Sequence, residues 1–403
     1  MLLITLSLLT SLDEEDTVTI KNTKIMKQIA FCLPGLFCFF FTTAQQKNNA
    51  AEIKSSGRLW GLAYIDYAVK VHADSLKRGS TQYSNIPKNF SSFDLRRVYL
   101  GYDYTFNEKF SAELLLAHEG NYDAAGNRTV FIKAANLRWK NIYKYADLVA
   151  GQMSTPTYSL MMEKIWGYRS IEKTIADMRR IGVSNDVGIA LQGRFDSAGV
   201  VGYNVMVGNG AASKPETDLF KKFYLNLYAK LFKQHLIIDL NGDYERIQNA
   251  PFHKNKSTVK LGVAWQQPQF TIGAEAFSQF QQNFYAVKKT PTAPDENMDA
   301  AATGLSFFAK GSIKKDKLNY FIRYDSYNPD SKFNTGYTYA TAYPSSKESF
   351  LTAGIDFMPY KSIHIMPNVW YNHYHDKRNN ATSIQKGDYD LAARCTLFVV
   401  FGK

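Results

Sequence analysis

From residue 58 onward, apolar and polar residues alternate in about sixteen segments, and the connections between them run long and short in turn. The segments begin at 58–67, 93–104 and 110–118 and end at 362–374 and 389–401. Each is close to the ~9–11 residues that a tilted transmembrane strand needs. The short turns are "FNEK", "NIYKY", "DSAG", "KQ", "QPQ", "KKDK" and "PYK". Between them lie polar loops at 68–92, 119–129, 154–185, 209–221, 247–257, 282–302, 328–349 and 375–388. A soluble β-sandwich or propeller has no reason to gather every long loop at one end. A membrane barrel does, because its turns are short on one side and its loops long on the other. The spacing predicts an all-β fold: a transmembrane antiparallel β-barrel of about sixteen strands, with both termini on the short-turn side.

Composition fits this reading. The 26 tyrosines and 27 phenylalanines suit an apolar exterior between aromatic girdles, for which Trp60, Tyr102, Tyr104, Trp139, Trp265, Tyr324, Trp370 and Tyr371 are candidates. No apolar run approaches the ~20 residues of a membrane helix. The chain opens with an acidic run, Asp13 to Asp16, so residues 1–25 read as an over-long gene start. "MKQIAFCLPGLFCFFFTTAQQK" then has the basic, apolar and small-residue parts of a secretory signal peptide at 26–44. Residues 45–57 make a periplasmic N-terminal segment and 58–403 the barrel. Cleavage after Ala44 leaves 45 basic against 32 acidic residues and Cys395 as the sole cysteine, so stability rests on sheet closure, not on disulfides. The excess positive charge favours anions, and export argues against nucleic acid.

One stretch breaks the alternation. In "EKIWGYRSIEKTIADMRRIG" (163–182), Ile165, Tyr168, Ile171, Ile175 and Met178 recur three or four apart, as on one face of a short helix. Its loop, 154–185, is the longest, and its apolar side chains need a surface that an outer loop in water lacks. A barrel of about sixteen strands leaves an aqueous channel into which such a loop can fold. Lys164, Arg169, Lys173, Arg179 and Arg180 are then expected at the constriction, favouring anions. Strand parity puts Arg97, Arg138, Lys260, Arg323 and Arg394 on the lumen wall, free or braced by carboxylates such as Asp103, Glu275, Asp325 and Asp390. The same parity sends Arg96 to the lipid side.

"FDLRRVYLGYDYTF" (93–106), "AGQMSTPTYS" (150–159), the stretch 163–193 and the closing "RCTLFVVFGK" resemble the phosphate-selective-type (porin O/P-like) porins of Gram-negative outer membranes. The resemblance implies a trimeric sixteen-stranded barrel in the outer membrane with a basic anion path. It also implies a terminal aromatic, here Phe401, read by the barrel-assembly machinery; this chain departs by adding Gly402 and Lys403. The expected function is passive diffusion of small hydrophilic solutes with anion, including phosphate, preference. The alternative is a ligand-binding or adhesion barrel that hardly conducts. P-loop, HExxH, GxSxG and zinc-type cysteine patterns are missing from the sequence, so no catalytic, metal or cofactor site is expected. His373 and His375 share a strand face with only Asp376 near them in sequence, and Ser362 and His364 form no esterase motif.

Overall fold

The computed structural model describes residues 55–402 apart from 80, 160, 249–251, 291, 340–345 and 379–383. The expected gene start, the signal peptide and most of segment 45–57 lie outside the described residues. Sixteen antiparallel strands form one closed sheet. They are β1 (Ser56–His72), β2 (Ser91–Thr105), β3 (Phe110–His118), β4 (Phe131–Tyr143), β5 (Ala146–Ser154) and β6 (Asn185–Arg194). Next come β7 (Val201–Gly208), β8 (Lys222–Leu231), β9 (Leu236–Gln248), β10 (Lys254–Gln266) and β11 (Phe270–Lys288). The last are β12 (Glu296–Lys314), β13 (Leu318–Asn328), β14 (Glu348–Tyr360), β15 (Ile363–Tyr374) and β16 (Asp388–Phe401). Each strand pairs with its sequence neighbour, and β1 also pairs with β16, from Gly61 against Phe401 to His72 against Leu391. Closure leaves no unpaired sheet edge, which a hydrocarbon surrounding would punish by several kcal/mol per group.

The loop alternation is as expected, with two changes of length. Residues 282–302 and 247–257 are mostly strand: β11 and β12 run 19 residues each, and β9 and β10 are joined by only 249–253. The ladders continue into these hairpins with one register shift each, between Lys254 and Asn255 and between Gln281 and Tyr285, so polar composition alone mistook strand for loop. The short turns rely on left-handed residues: Phe232, Lys233 and Gln234 have φ of 49°, 57° and 70°. Asn107 instead caps its turn, Oδ1 accepting from the amides of Lys109 and Phe110 at 2.9 Å each.

Outward positions carry an apolar band. Leu100, Leu114, Leu225, Leu261, Ile322 and Val369 are all exposed. A soluble surface rarely leaves so extended an apolar area uncovered; hydrocarbon is its natural solvent. Six of the eight girdle candidates face outward, but Trp60 and Trp370 point inward and are buried at 8% and 0% exposure. Trp60 lies over Gly101 of β2, and Trp370 packs on Phe350 and Tyr83. Both are core residues of the interior.

Arg96 also departs from expectation. The β1–β2 register slips between Tyr64 and Ile65, so that Arg96 is an extra residue bulged out of the ladder. The bulge turns Arg96 inward beside Arg97, and both guanidiniums reach the lumen. A second bulge at Lys133, between Leu115 and Leu116 of the partner strand, does the same for that lysine.

The free Cys395 is exposed on the outer face of β16. In reconstituted bilayers it is expected to react with an apolar, membrane-partitioning maleimide and to resist a charged, water-confined one. The reverse preference would mean that β16 is out of register by one residue.

Candidate functional site: the constriction loop

Residues 154–185 leave β5 and re-enter the sheet at β6, and the segment between lies inside the barrel. It contains three short helices: α1 (Pro156–Ser159), α2 (Met162–Trp166) and α3 (Ile175–Met178). The five periodic residues do not form one helix. Gly167, at φ 70°, ends α2 with its amide donating to the Glu163 carbonyl, and the chain turns there. Ile165, Tyr168, Ile171, Ile175 and Met178 are nonetheless all buried, because the lumen wall surrounds the whole segment.

Packing is the first restraint. Trp166, fully buried, meets Phe308 edge-on at 5.4 Å and Phe321 at 6.3 Å, and Tyr168 lies 4.5 Å from Phe321. Ile237, Ala264 and Met366 complete this cluster, so α2 is seated on the wall from β9 to β15. Ile175, Ala176 and Ile181 pack on Phe277 and Ala302, and Met178 on Phe350 and Trp370.

Hydrogen bonding is the second. The turn between α2 and α3 turns its carbonyls towards three wall arginines. Arg394 donates to Ile171 O at 2.8 Å, Arg96 to Ser170 O and Arg323 to Lys173 O. Each guanidinium is also charge-compensated: Arg96 by Asp66 at 2.5 Å, Arg323 by Asp325 at 2.5 Å, and Arg394 by Asp66 at 3.7 Å with Asn368 accepting at 2.9 Å. Trp166 Nε1 donates to Glu172 O at 2.8 Å, and Trp370 Nε1 to the Glu172 carboxylate at 3.2 Å.

The expected constriction residues are therefore placed unequally. Arg169 ion-pairs with Asp177 at 2.8 Å and Glu163 at 3.1 Å, and Lys173 lies 3.5 Å from Asp177. Arg179 is buried against Glu348 at 2.5 Å and Asn372 at 2.9 Å. Lys164 and Arg180 are exposed, and neither has an ion pair among the described residues. The five expected wall residues all face the interior. Arg323 and Arg394 are covered by the loop, and Lys260 is buried against Glu275 at 3.1 Å. Arg97 lies 3.5 Å from Glu119, and Arg138 holds Asp147 at 2.9 Å and Gln192 at 2.8 Å. Arg169, Lys173, Arg97 and Lys133 are four cations set against Glu163, Asp177 and Glu119, so this part of the lumen carries one net positive charge.

Sequence reasoning missed Arg96, Lys133 and Glu119, and it missed a second inward loop. Residues 73–90, between β1 and β2, bring Tyr83 into the barrel, 5.2 Å from Trp370. Lys70 anchors this loop by donating to Tyr83 O at 2.6 Å while paired with Asp390 at 2.5 Å. The parity of apolar residues switches from odd at Phe93 and Leu95 to even at Val98 and Leu100, which marks the Arg96 bulge in the sequence itself. Nothing comparable marks Tyr83.

The fold is similar to solved outer-membrane channels. The anion-selective porin from Comamonas acidovorans superimposes with a TM-score of 0.60 at 11% identity, covering 86% of this chain and all of that one. The outer membrane channel DcaP of Acinetobacter baumannii gives 0.62 at 13%, over 89% of this chain and all of that one. OmpF of Salmonella typhi gives 0.56 at 12%, over 86% and 99%. No protein-family model and no curated protein matches the chain. At such identities the likeness establishes a sixteen-stranded barrel and nothing finer.

Two outcomes follow from the loop's restraints. Trp166→Ala removes a fully buried indole, a change worth about 3–5 kcal/mol in a core. Trypsin is expected to cut the loop between 164 and 180 in the folded variant and to spare it in the wild type; equal resistance would show that Trp166 is no anchor. The second concerns pH. Burial alone would raise the Asp177 carboxyl, but Arg169 and then Lys173 more than offset this and hold it at about 2, below the ordinary 3.8. A depressed carboxylate contributes stability above its unfolded value and loses it as pH falls through the folded one. Loop protection from pepsin should therefore stay constant down to pH ~4 and decline between ~4 and ~2. A decline centred near pH 6 would assign the loop's restraint to histidine instead.

Proposed function

We propose that this protein is an outer-membrane porin: a passive diffusion channel for small hydrophilic solutes, with a modest preference for anions. The observation that carries this reading is the inward-folded loop, clamped by wall arginines, inside a closed barrel with an apolar exterior. A loop so held narrows a channel. The mixed charge of the lumen supports a weak selectivity. Most cations are matched by carboxylates within 4 Å, and the surplus comes from few groups, Lys164 and Arg180 among them. Phosphate is one candidate anion among many.

We further propose a homotrimer inserted by the barrel-assembly machinery through β16. Ala63 on the outer face of β1 suits close subunit packing, and Phe401, whose ring covers Gly61, ends the last strand. A monomer mass after mild detergent extraction would count against the trimer. The second reading, a binding or adhesion barrel with little conductance, draws support from Tyr83, because two loops instead of one enter the lumen.

Reversal potentials in a salt gradient test the proposal. The wild type should prefer chloride over potassium, and the preference should shrink between 0.1 M and 1 M salt as the Debye length falls from ~10 Å to ~3 Å. Lys164→Gln with Arg180→Gln should move the channel towards neutrality. Arg169→Gln should lower the anion preference by less, because it removes one positive charge where the paired change removes two and leaves Lys173 beside Asp177. A wild type that prefers potassium would overturn the anion reading, and a trace closed in every salt would favour the binding barrel.

A further inference from the structure

The constriction leaves a cavity of about 460 Å³ against β4–β8, on the short-turn side of the loop. Three cations line it: Lys164 from α2 above, Arg194 at the end of β6 and Lys230 at the end of β8. None of the three has an ion pair among the described residues. Arg194 and Lys230 lie over the rings of Tyr145 and Tyr228, at 5.0 Å and 5.4 Å, which holds them in place without neutralising them. The carboxylate in this wall, Asp147, is already paired with Arg138.

The same wall contains amides with unused hydrogen-bonding capacity. Asn204 of β7 points inward at 3% exposure, and neither its Nδ2 nor its Oδ1 has a partner among the described residues. Asn226 of β8, opposite it and 1% exposed, donates to Asp239 and Asn241 but leaves Oδ1 unmatched. Buried polar atoms without partners are uncommon, because each costs about 1–3 kcal/mol. Two adjacent ones in a cavity wall point to something that supplies their partners.

From this cavity we infer a solute subsite for a hydroxylated organic anion of monosaccharide size, such as a sugar acid. It deepens the diffusion-channel reading by naming the solute class, and it rests on that reading. The cations take the anionic group. Asn204 Oδ1 and Asn226 Oδ1 are acceptors, which need O–H donors, and Asn204 Nδ2 donates to a hydroxyl oxygen. Chloride can satisfy only the cations; the phosphate dianion has one O–H group for two acceptors, the monoanion gains a second only by giving up charge, and neither has an apolar face for Tyr228. A neutral sugar satisfies the amides and leaves the cations unmatched. The volume falls within the range of small-ligand sites, ~300–1,000 Å³.

The test uses the refolded full chain in planar bilayers carrying chloride current, with gluconate, glucose or phosphate added on the short-turn side. Gluconate is expected to reduce conductance at a lower concentration than phosphate or glucose. Asn204→Leu, which replaces the amide by a similar apolar volume, should raise the half-blocking gluconate concentration about 30-fold, the value of two hydrogen bonds at ~1 kcal/mol each. It should leave chloride preference unchanged. Arg194→Gln with Lys230→Gln should weaken gluconate block and chloride preference together. Phosphate blocking as well as gluconate would overturn the inference, as would a block indifferent to Asn204→Leu. Calorimetric titration of the detergent-solubilised protein with gluconate reads the site apart from conduction. Saturable heat that is lost in Asn204→Leu, with a silent channel, would sink the diffusion reading and keep the subsite. Conduction without saturable heat would do the opposite.

Discussion

Three guanidinium groups hold one turn of backbone, and the interior of this barrel is arranged around that contact. Ser170, Ile171 and Lys173 turn their carbonyls away from their own loop, so the donors must come from the wall. A buried carbonyl without a donor is costly, and a buried arginine without a carboxylate is costlier. Both demands are met at once: Arg96, Arg323 and Arg394 satisfy the loop, while Asp66 and Asp325 satisfy the arginines. The planar fork of arginine suits this double duty, since one edge can face a carboxylate and the other a carbonyl. A lysine can also hold both, as Lys70 does between Asp390 and the Tyr83 carbonyl, but from a single nitrogen without the fixed geometry of the fork.

This use of charge limits what the lumen can do electrically. A basic residue facing the interior reads at first as part of an anion path. Here Arg323 and Arg394 lie under the loop they support, and Arg179 and Lys260 are matched one to one by Glu348 and Glu275. Their fields are largely cancelled within 4 Å. What remains at the solvent surface is a small number of cations at the edges of the loop and along β6 and β8. The positive total charge of the chain therefore overstates the field that a passing ion meets.

The strand count, the strand faces and the inward loop were legible in the sequence, because alternation and loop length are repeated signals that reinforce one another. Arg97, Arg138, Lys260, Arg323 and Arg394 face inward as parity required. Where parity slipped, the reading of faces slipped with it: Arg96 was sent outward because the parity of Val98 and Leu100 was carried back past the switch that marks the bulge. Trp60 and Trp370 were misread for a different reason. An aromatic near a strand end has the same composition signature whether it meets lipid or the inner face of a neighbouring glycine. The ion pairs were the least legible, since Arg179–Glu348 and Lys70–Asp390 join residues 169 and 320 positions apart. The alternation identifies each face but not its opposite number.

The seam between β1 and β16 has a consequence for how the molecule forms. Gly61 leaves room there for the Phe401 ring, as a Cβ would fall 2.2 Å from it. Asp66 on the first strand accepts from Arg96 on the second and from Thr396 on the last, where Arg394 also lies. The clamp on the loop is thus divided between the two ends of the chain. Until the final strand arrives, Arg394 has no fixed position and Asp66 has only half its partners. The loop folds in from the barrel's open end, but its clamp is complete only once the seam has zipped. Immobilising the constriction and sealing the cylinder are therefore one event, and a nascent chain lacking its last dozen residues would hold an unfinished wall and an unfastened loop together.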